Sequence, residues 1–396
     1  MAPVPPVDVL VVGGGVIGLS IAWRAAASGR RVTVVDPAPG RGASWAAAGM
    51  LAPVGEAHFG EQALTGLLVR AAPAWPGFAR DLEEASGRPV HYRADGALLV
   101  AFDPSDRTAT DDVLGFRLEL GLAARRLSAR ECRASEPLLS PGIRGGAELP
   151  EDHQVDNRLV VEALLAACEG AGVTFVSDRV AGVGLEGGRV TGVSLVGGGS
   201  RTAGAVVIAA GCESGQVTGL TVRPPVRPVK GMTLRLQAAP DAPRLRRTVR
   251  GLVHGRSCYL VPRDDGGVVV GATVEEKGFD LGVQVGAVGD LLDDARDLVP
   301  TLDEYTLTDT TTGLRPGSPD NSPLVGPTGM AGLIVATGHH RNGILLAPVT
   351  ADEVVRLLGG GDPSDLFAAF GPERFEPAIG DRSDGGTGPA TQSMPR

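Results

Sequence analysis

Lysine is nearly missing from this 396-residue chain: Lys230 and Lys277 are the only two, and arginine carries the rest of the positive charge. The skew runs through the whole length and reads as coding bias rather than as a functional signal. Basic residues, 37 in all, are outnumbered by 46 acidic ones, and the net charge of −9 works against binding nucleic acid or anionic membrane, so neither is an expected partner. The four cysteines (Cys132, Cys168, Cys212, Cys258) are scattered, with no Cys-x-x-Cys pair and no His-rich neighbour. That pattern indicates neither a metal site nor a disulfide framework, and it fits a reducing cytoplasm. Apolar runs are broken by Gly and Pro before they could span a bilayer, and no basic residue precedes the first strand-like segment to mark a signal peptide. No internal repeat is visible.

What is present is an ordinary globular balance, 43% apolar and 21% charged, at a length that suggests two or three domains. Glycine is in excess, with 58 residues, and marks turns and close backbone approaches. Residues 8–12 and 31–35 are short aliphatic runs of the kind that form parallel strands buried on both faces, and residues 16–27 between them have helical periodicity. This βαβ unit opens the chain. Asn157 reads as the N-cap of a helix ending near Gly170, followed by a strand at 173–176. A hairpin pattern covers 180–195 around Gly187-Gly188, and residues 205–210 and 332–337 read as further buried strands. A helix-like segment, 344–358, follows. Residues 56–150 and 225–315 have a different texture of helices, Pro-containing loops and strands such as 259–262 and 268–273. The fold class is therefore α/β (α+β overall), with a Rossmann-like domain made of residues 1–55, 151–224 and 316–370 and an interleaved domain made of 56–150 and 225–315. The tail, 371–396, lacks periodicity and is expected to be disordered.

Gly13-x-Gly15-x-x-Gly18 lies between a strand and a helix, and Asp36 ends the next strand. In that context the first glycine permits the turn, the second lets backbone amides meet a pyrophosphate at the helix N-terminus, and the third lets helix and strand pack closely. Asp36 suits ribose hydroxyls and repels a 2′-phosphate, which favours FAD or NAD over NADP. Just beyond the acid, residues 44–53 are almost all small, allowing backbone to lie against a large planar ligand.

From these residues onward the chain resembles the D-amino-acid oxidase superfamily of flavoproteins, and within it the glycine oxidases of the thiamine-biosynthetic type. Blocks at 228–231, 258–263, 271–273, 313–317 and 338–348 follow that pattern in order. The resemblance implies an FAD-binding domain with an antiparallel-sheet substrate domain. It implies that Gly13, Gly15, Val16, Ile17, Gly18, Asp36, Pro37 and Ser44 hold the nucleotide and pyrophosphate, and that Ala48, Gly49 and Met50 line the flavin. Val180, Ala210 and Gly211 would close over the adenine half, and His339, Arg341, Asn342, Gly343 and Ile344 would pass the flavin. Arg315 is the expected carboxylate anchor, through two parallel charge-assisted hydrogen bonds from a Gly- and Pro-rich loop; Tyr259 would donate to the second oxygen, and Arg341 would stand near the substrate. Neither His339 nor His340 is expected to act as a base. The 313–317 block holds no cysteine, so the resemblance implies noncovalent FAD.

The implied reaction is oxidative deamination of glycine or a similar small amine: hydride passes from Cα to flavin N5, an imine leaves for thiamine thiazole synthesis, and O2 becomes H2O2. The implied partners are a small amino-acid substrate and O2, with room for a homo-oligomer. Ser257 and Val274 stand where relatives often carry His and Met, and His340 stands for a frequent Tyr, so substrate preference is expected to differ. The alternatives are a sarcosine, D-proline or D-amino-acid oxidase or dehydrogenase of the same fold, then an NAD-dependent dehydrogenase, then a noncatalytic flavin-binding protein.

Overall fold

In the computed structural model, which describes residues 7–375, two eight-stranded sheets stand side by side, joined by several crossings of the chain. The first has the order Leu324–Pro327, Leu333–Thr337, Ser200–Ile208, Val7–Val12, Val32–Val35 and Thr174–Val176. All neighbours are parallel except the antiparallel pair at the Leu324–Pro327 edge. The hairpin of Val180–Glu186 and Arg189–Leu195 extends from Ser200–Ile208 and covers one face with Val183, Val190 and Val193. Helices Val16–Ala27, Asn157–Gly170 and Gly343–Leu358 cover the other with Leu19, Ile21, Leu164, Leu345 and Leu346. Residues 9–12 are buried on both sides, which is why the strand reads as an unbroken apolar run rather than an alternating one.

The second sheet runs Thr306–Gly317, Arg227–Gln237, Gly267–Gly271, Arg256–Pro262, Thr248–Val253, Ala97–Ala101, Gly145–Leu149 and Arg125–Leu127. Its pairs are antiparallel except Thr248–Val253 with Ala97–Ala101. Helix Val285–Leu298 packs on it through Leu291, Ala295 and Leu298.

Four expectations change. Residues 62–90, assigned from the sequence to the second domain, pack with the first sheet: Leu64, Leu68, Trp75, Phe78 and Val90 share one core with Val9 and Leu19, and Trp75 Nε1 donates to Leu345 O at 2.9 Å. Arg315 is on a strand, not in a loop. The β-branched Thr310–Thr312 run favours extended backbone, and Pro316 is tolerated because Thr306–Gly317 is an edge strand. Asp156, rather than Asn157, caps its helix, accepting from the Arg158 and Leu159 amides, while Asn157 is buried in the first turn. Of the tail expected to be disordered, residues 371–375 are ordered: Pro372–Phe375 forms a 3-10 turn, and Arg374 binds Asp320 and the Ser322 carbonyl. Residues 376–396 lie outside the described residues. Among the described residues no helix is long and apolar enough to cross a membrane.

Gly18 faces its own turn, where a Cβ would collide with the Gly13 carbonyl oxygen, a backbone atom that cannot swing aside. Gly18→Ala is therefore expected to lose about 2–3 kcal/mol of stability, read as a lower urea midpoint of the FAD-free protein. An unchanged midpoint would show that the helix does not pack against the strand as closely as described.

Candidate active site

A cavity of about 650 Å³ lies between the two sheets, at the carboxyl ends of the first sheet's strands, the usual ligand position in an open α/β sheet. Gly13, Asp36 and Ala209 each follow directly from a strand end and line it, as does Thr337, the last residue of its strand. Gly13 adopts φ 102°, and a Cβ there would strike the Ala209 carbonyl. The Asp36 carboxylate accepts from the Gly14 and Ala38 amides, both at 2.7 Å, and so ties the glycine turn to the second strand. Helix Val16–Ala27 begins without a side-chain cap from its own N-cap residue, Gly15; Ser44 Oγ, from outside the helix, accepts from the Val16 amide at 2.9 Å.

The small-residue run lines the cavity, and five of the six carbonyls of residues 44–49 are bonded to the surrounding protein. Asn157 Nδ2 donates to the Ser44 and Trp45 oxygens (2.8 and 3.1 Å), Thr233 Oγ1 to Ala46 O (2.9 Å) and Arg263 Nη2 to Ala48 O (2.6 Å). The Val155 amide donates to Gly49 O at 2.9 Å. Trp45 lies between the guanidinium groups of Arg41 and Arg158, 3.9 and 4.6 Å from its ring centre. Among the described residues the amides of Ala48 and Gly49 donate to no acceptor, although both residues are buried.

At the other end of the cavity the second sheet contributes Tyr259 and Arg315. Each lies across a glycine of a neighbouring strand: the Tyr259 ring over Gly271 and the Arg315 guanidinium over Gly231, where any Cβ would collide. Arg315 Nη1 donates to the Thr273 carbonyl at 3.1 Å and, at the limit of hydrogen-bonding distance, to the Lys230 carbonyl at 3.4 Å, which orients the guanidinium. Burial pushes the Tyr259 phenol up against the pull of Arg315 and Arg250, so it is a protonated donor. Glu56, buried on the same wall, accepts from Arg250 Nη2 at 2.7 Å and pairs with Arg341 Nε at 3.0 Å. Burial opposes its ionisation, yet Arg250 and Arg341 overcome that and hold its carboxyl well below the usual range. Behind it, burial raises Asp152 to about 6 although the Val54 and Gly55 amides donate to it, and burial lowers Arg117 to about 10. His339 and His340 are both pushed down to about 3, His339 by burial and His340 by burial with Arg341 and Arg315 beside it. Both are neutral, and His339 Nε2 meets Thr350 Oγ1 at 3.1 Å.

Gly15, Val16, Ile17, Pro37, Ala48, Gly49, Met50, Val180, Ala210, Gly211, Arg341, Asn342, Gly343 and Ile344 also line the cavity, so every residue expected at the site is there except Gly18, whose place is between helix and strand. Ser257 and Val274 are exposed and away from the cavity wall, so those two departures do not reshape it; His340 does line it. Sequence reasoning missed Glu56, Arg250 and Asp152. No local motif marks them; they meet because Met50–Leu51 pairs with His153–Gln154 and the cavity edge meets Thr248–Val253. The usable signal was Gly55, where a Cβ would meet the Asp152 carboxylate and Arg250, a glycine that marks close approach of another group.

The sequence profile of the family described as FAD dependent oxidoreductase (DAO) matches residues 8–357. The chain belongs to that family. Glycine oxidase of Pseudomonas putida is 32% identical over 92% of this chain and 98% of its own length. The bifunctional protein ThiO/ThiG of Trichormus variabilis is 33% identical over 93% of this chain, which spans only 55% of that relative. The crystal structure of glycine oxidase from Geobacillus kaustophilus superposes with a TM-score of 0.86 at 30% identity, covering 94% of this chain and 99% of the other.

The cavity fits the FAD of this DAO-family oxidoreductase. Its length joins the glycine turn to the Tyr259 end, its small-residue wall presents unpartnered amides at Ala48 and Gly49, and helix Gly343–Leu358 starts at it without a side-chain cap, leaving backbone N–H groups for an anionic oxygen. Since Asn157 secures two carbonyls of that wall, Asn157→Ala is expected to weaken FAD retention about 10–100-fold, measured as the dissociation constant of the flavin.

The neutral imidazoles give a second expectation. Protonation at His340 favours the unfolded chain, where its pKa is near 6.5, over the folded one, near 3, so its contribution to stability is lost as pH falls through that window. His340→Asn, which tolerates the residue's φ of 47°, should flatten the decline of the urea midpoint below pH 6.5. A slope equal to that of the parent protein would place the acid sensitivity elsewhere.

Proposed function

We propose that the enzyme oxidises the Cα–N bond of glycine or a similar small amino acid, with O2 as oxidant and FAD held noncovalently. The observation that carries this reading is the convergence of Arg315 and Tyr259, two carboxylate-binding groups on rigid strands, on the cavity that also holds the dinucleotide cradle. Bound there, FAD supplies two-electron oxidation of the amine carbon and returns the electrons to O2 as hydrogen peroxide. The chain's own residues bind and orient. The N–H groups of Arg315 that do not face Thr273 and Lys230 take one carboxylate oxygen or both, and the Tyr259 hydroxyl donates to the other. Gly13, Gly15, Val16, Ser44 and Asp36 hold the pyrophosphate and ribose, Ala48, Gly49 and Met50 the flavin, and the uncapped turn at Asn342, Gly343 and Ile344 the pyrimidine edge.

Arg341, half neutralised by Glu56, adds positive potential without a second free cation. The neutral His339 and His340 lend no proton at this site. Of the four free cysteines, Cys212 lines the cavity, and burial raises its thiol to about 11, so no thiolate stands ready to attach the flavin. The name of the relative glycine oxidase supports glycine as substrate, and the likeness to ThiO/ThiG supports use of the imine product in thiamine thiazole synthesis; a cytoplasmic location is part of the same proposal.

Arg315→Ala should keep the bound yellow flavin and raise the apparent KM for glycine roughly 100-fold or more. Anaerobic titration with glycine, sarcosine and a panel of D-amino acids reads cofactor, competence and preference together. Undiminished glycine-driven bleaching in the variant would remove Arg315 from the anchor role, and oxygen consumption against dye reduction separates an oxidase from a dehydrogenase.

A further inference from the structure

Lys230 is one of two lysines in the chain, and it is fully buried. Its ammonium is enclosed by one segment, the loop of residues 272–284 between strand Gly267–Gly271 and helix Val285–Leu298. The Gly282 carbonyl and Gln284 Oε1 (2.8 Å) accept from it, and the carboxylates of Asp280 and Glu275 stand 3.6 and 3.8 Å away. Its backbone exchanges two hydrogen bonds with Glu275, at 2.9 and 3.0 Å, and its carbonyl faces Arg315. Other polar contacts hold the first part of the loop, from the Met232 amide to Thr273 Oγ1 at 2.9 Å and from Arg227 Nε to Glu276 at 3.3 Å, but Val274, Phe279, Leu281 and Val283 are all about half exposed or more, so apolar burial contributes little. Yet Leu281 reaches the cavity wall beside Thr312 and Arg315, and its carbonyl accepts from Thr312 Oγ1 at 2.7 Å. A buried ammonium is tolerable only while these acceptors surround it. Lys230 and the loop therefore hold each other in place.

The structure assigns to Lys230 the role of a positioning residue that clamps the 272–284 loop as the roof of the substrate end, limiting the enzyme to small amino acids. The assignment rests on the substrate reading above and extends it. In the FAD-loaded enzyme, Lys230→Met should raise the KM for glycine about tenfold while kcat changes less than about threefold, and should raise kcat/KM for D-phenylalanine relative to glycine. The variant leaves Lys277, 45% exposed in the middle of the loop, as the single lysine, so a lysine-specific protease reports loop opening at one bond. Cleavage there should be about tenfold faster than in the parent.

Should Lys230→Met fail to fold, Gln284→Ala removes one acceptor from the exposed side and should give the same direction in both readouts. Unchanged cleavage at Lys277 together with unchanged discrimination would overturn the clamp. A parent enzyme whose flavin no amino acid reduces would instead overturn the substrate reading, and the cleavage comparison, which needs no turnover, would still decide the clamp.

Discussion

The cofactor wall depends on one constraint: the carbonyls of residues 44–49 must be satisfied from behind. A run of tiny side chains has almost no packing of its own to hold it against a planar ligand. Here Asn157, Thr233, Arg263 and the Val155 amide take five of its oxygens, and two of those donors come from the second sheet. Each bond contributes on the order of 1 kcal/mol net, more where arginine donates. Their joint effect is to fix the orientation of these peptide planes, among them the plane whose carbonyl, that of Ala48, is held by Arg263 and whose opposite edge is the Gly49 amide. The nucleotide sheet alone could not do this. The second sheet is thus part of the cofactor site as well as the source of Arg315 and Tyr259.

Charge at the substrate end is arranged by the same economy of partners. Four arginines approach it, and Glu56 takes up two of them, Arg250 and Arg341, while Arg117 turns back to the Gly55 carbonyl and Asp152. Arg315 is left lining the cavity, and among the described residues its acceptors are backbone oxygens alone. Neutral imidazoles at 339 and 340 add no competing cation. The result, among the described residues, is one guanidinium without a carboxylate partner at this end of the cavity, with the surrounding positive charge spread and partly cancelled.

The opening βαβ unit was legible in the sequence because its strands are buried on both faces and two of its glycines, Gly13 and Gly18, stand where a Cβ would strike backbone. The blocks that hold Tyr259, Arg315 and residues 339–344 were legible through resemblance, and those residues line one cavity. What escaped was non-local. Glu56, Arg250 and Asp152 are ordinary charged residues in sequence, and only strand pairing places them together. The helices within 62–90 look like any amphipathic pair, and nothing local tells which sheet they cover. Arg315 was placed in a loop because Gly and Pro around it outweighed the β-branched threonines before it. Gly231 and Gly271 are explained as clearance for side chains from neighbouring strands, Arg315 and Tyr259, and Gly313 as clearance for Ala43 and Ala46.

The strand Val7–Val12 sits in the middle of the first sheet, yet the partner on one of its flanks, Ser200–Ile208, is far along the chain, and Leu333–Thr337 is farther still. On a ribosome adding roughly 5–20 residues per second, that flank stays open for on the order of ten seconds or more. During that interval a bare aliphatic strand and its two neighbours have unpaired amides and carbonyls facing water. Nascent chains of this enzyme are therefore most vulnerable to association with one another before Ile208 emerges, and their yield in a cell is governed by what shields that edge as much as by the stability of the finished fold.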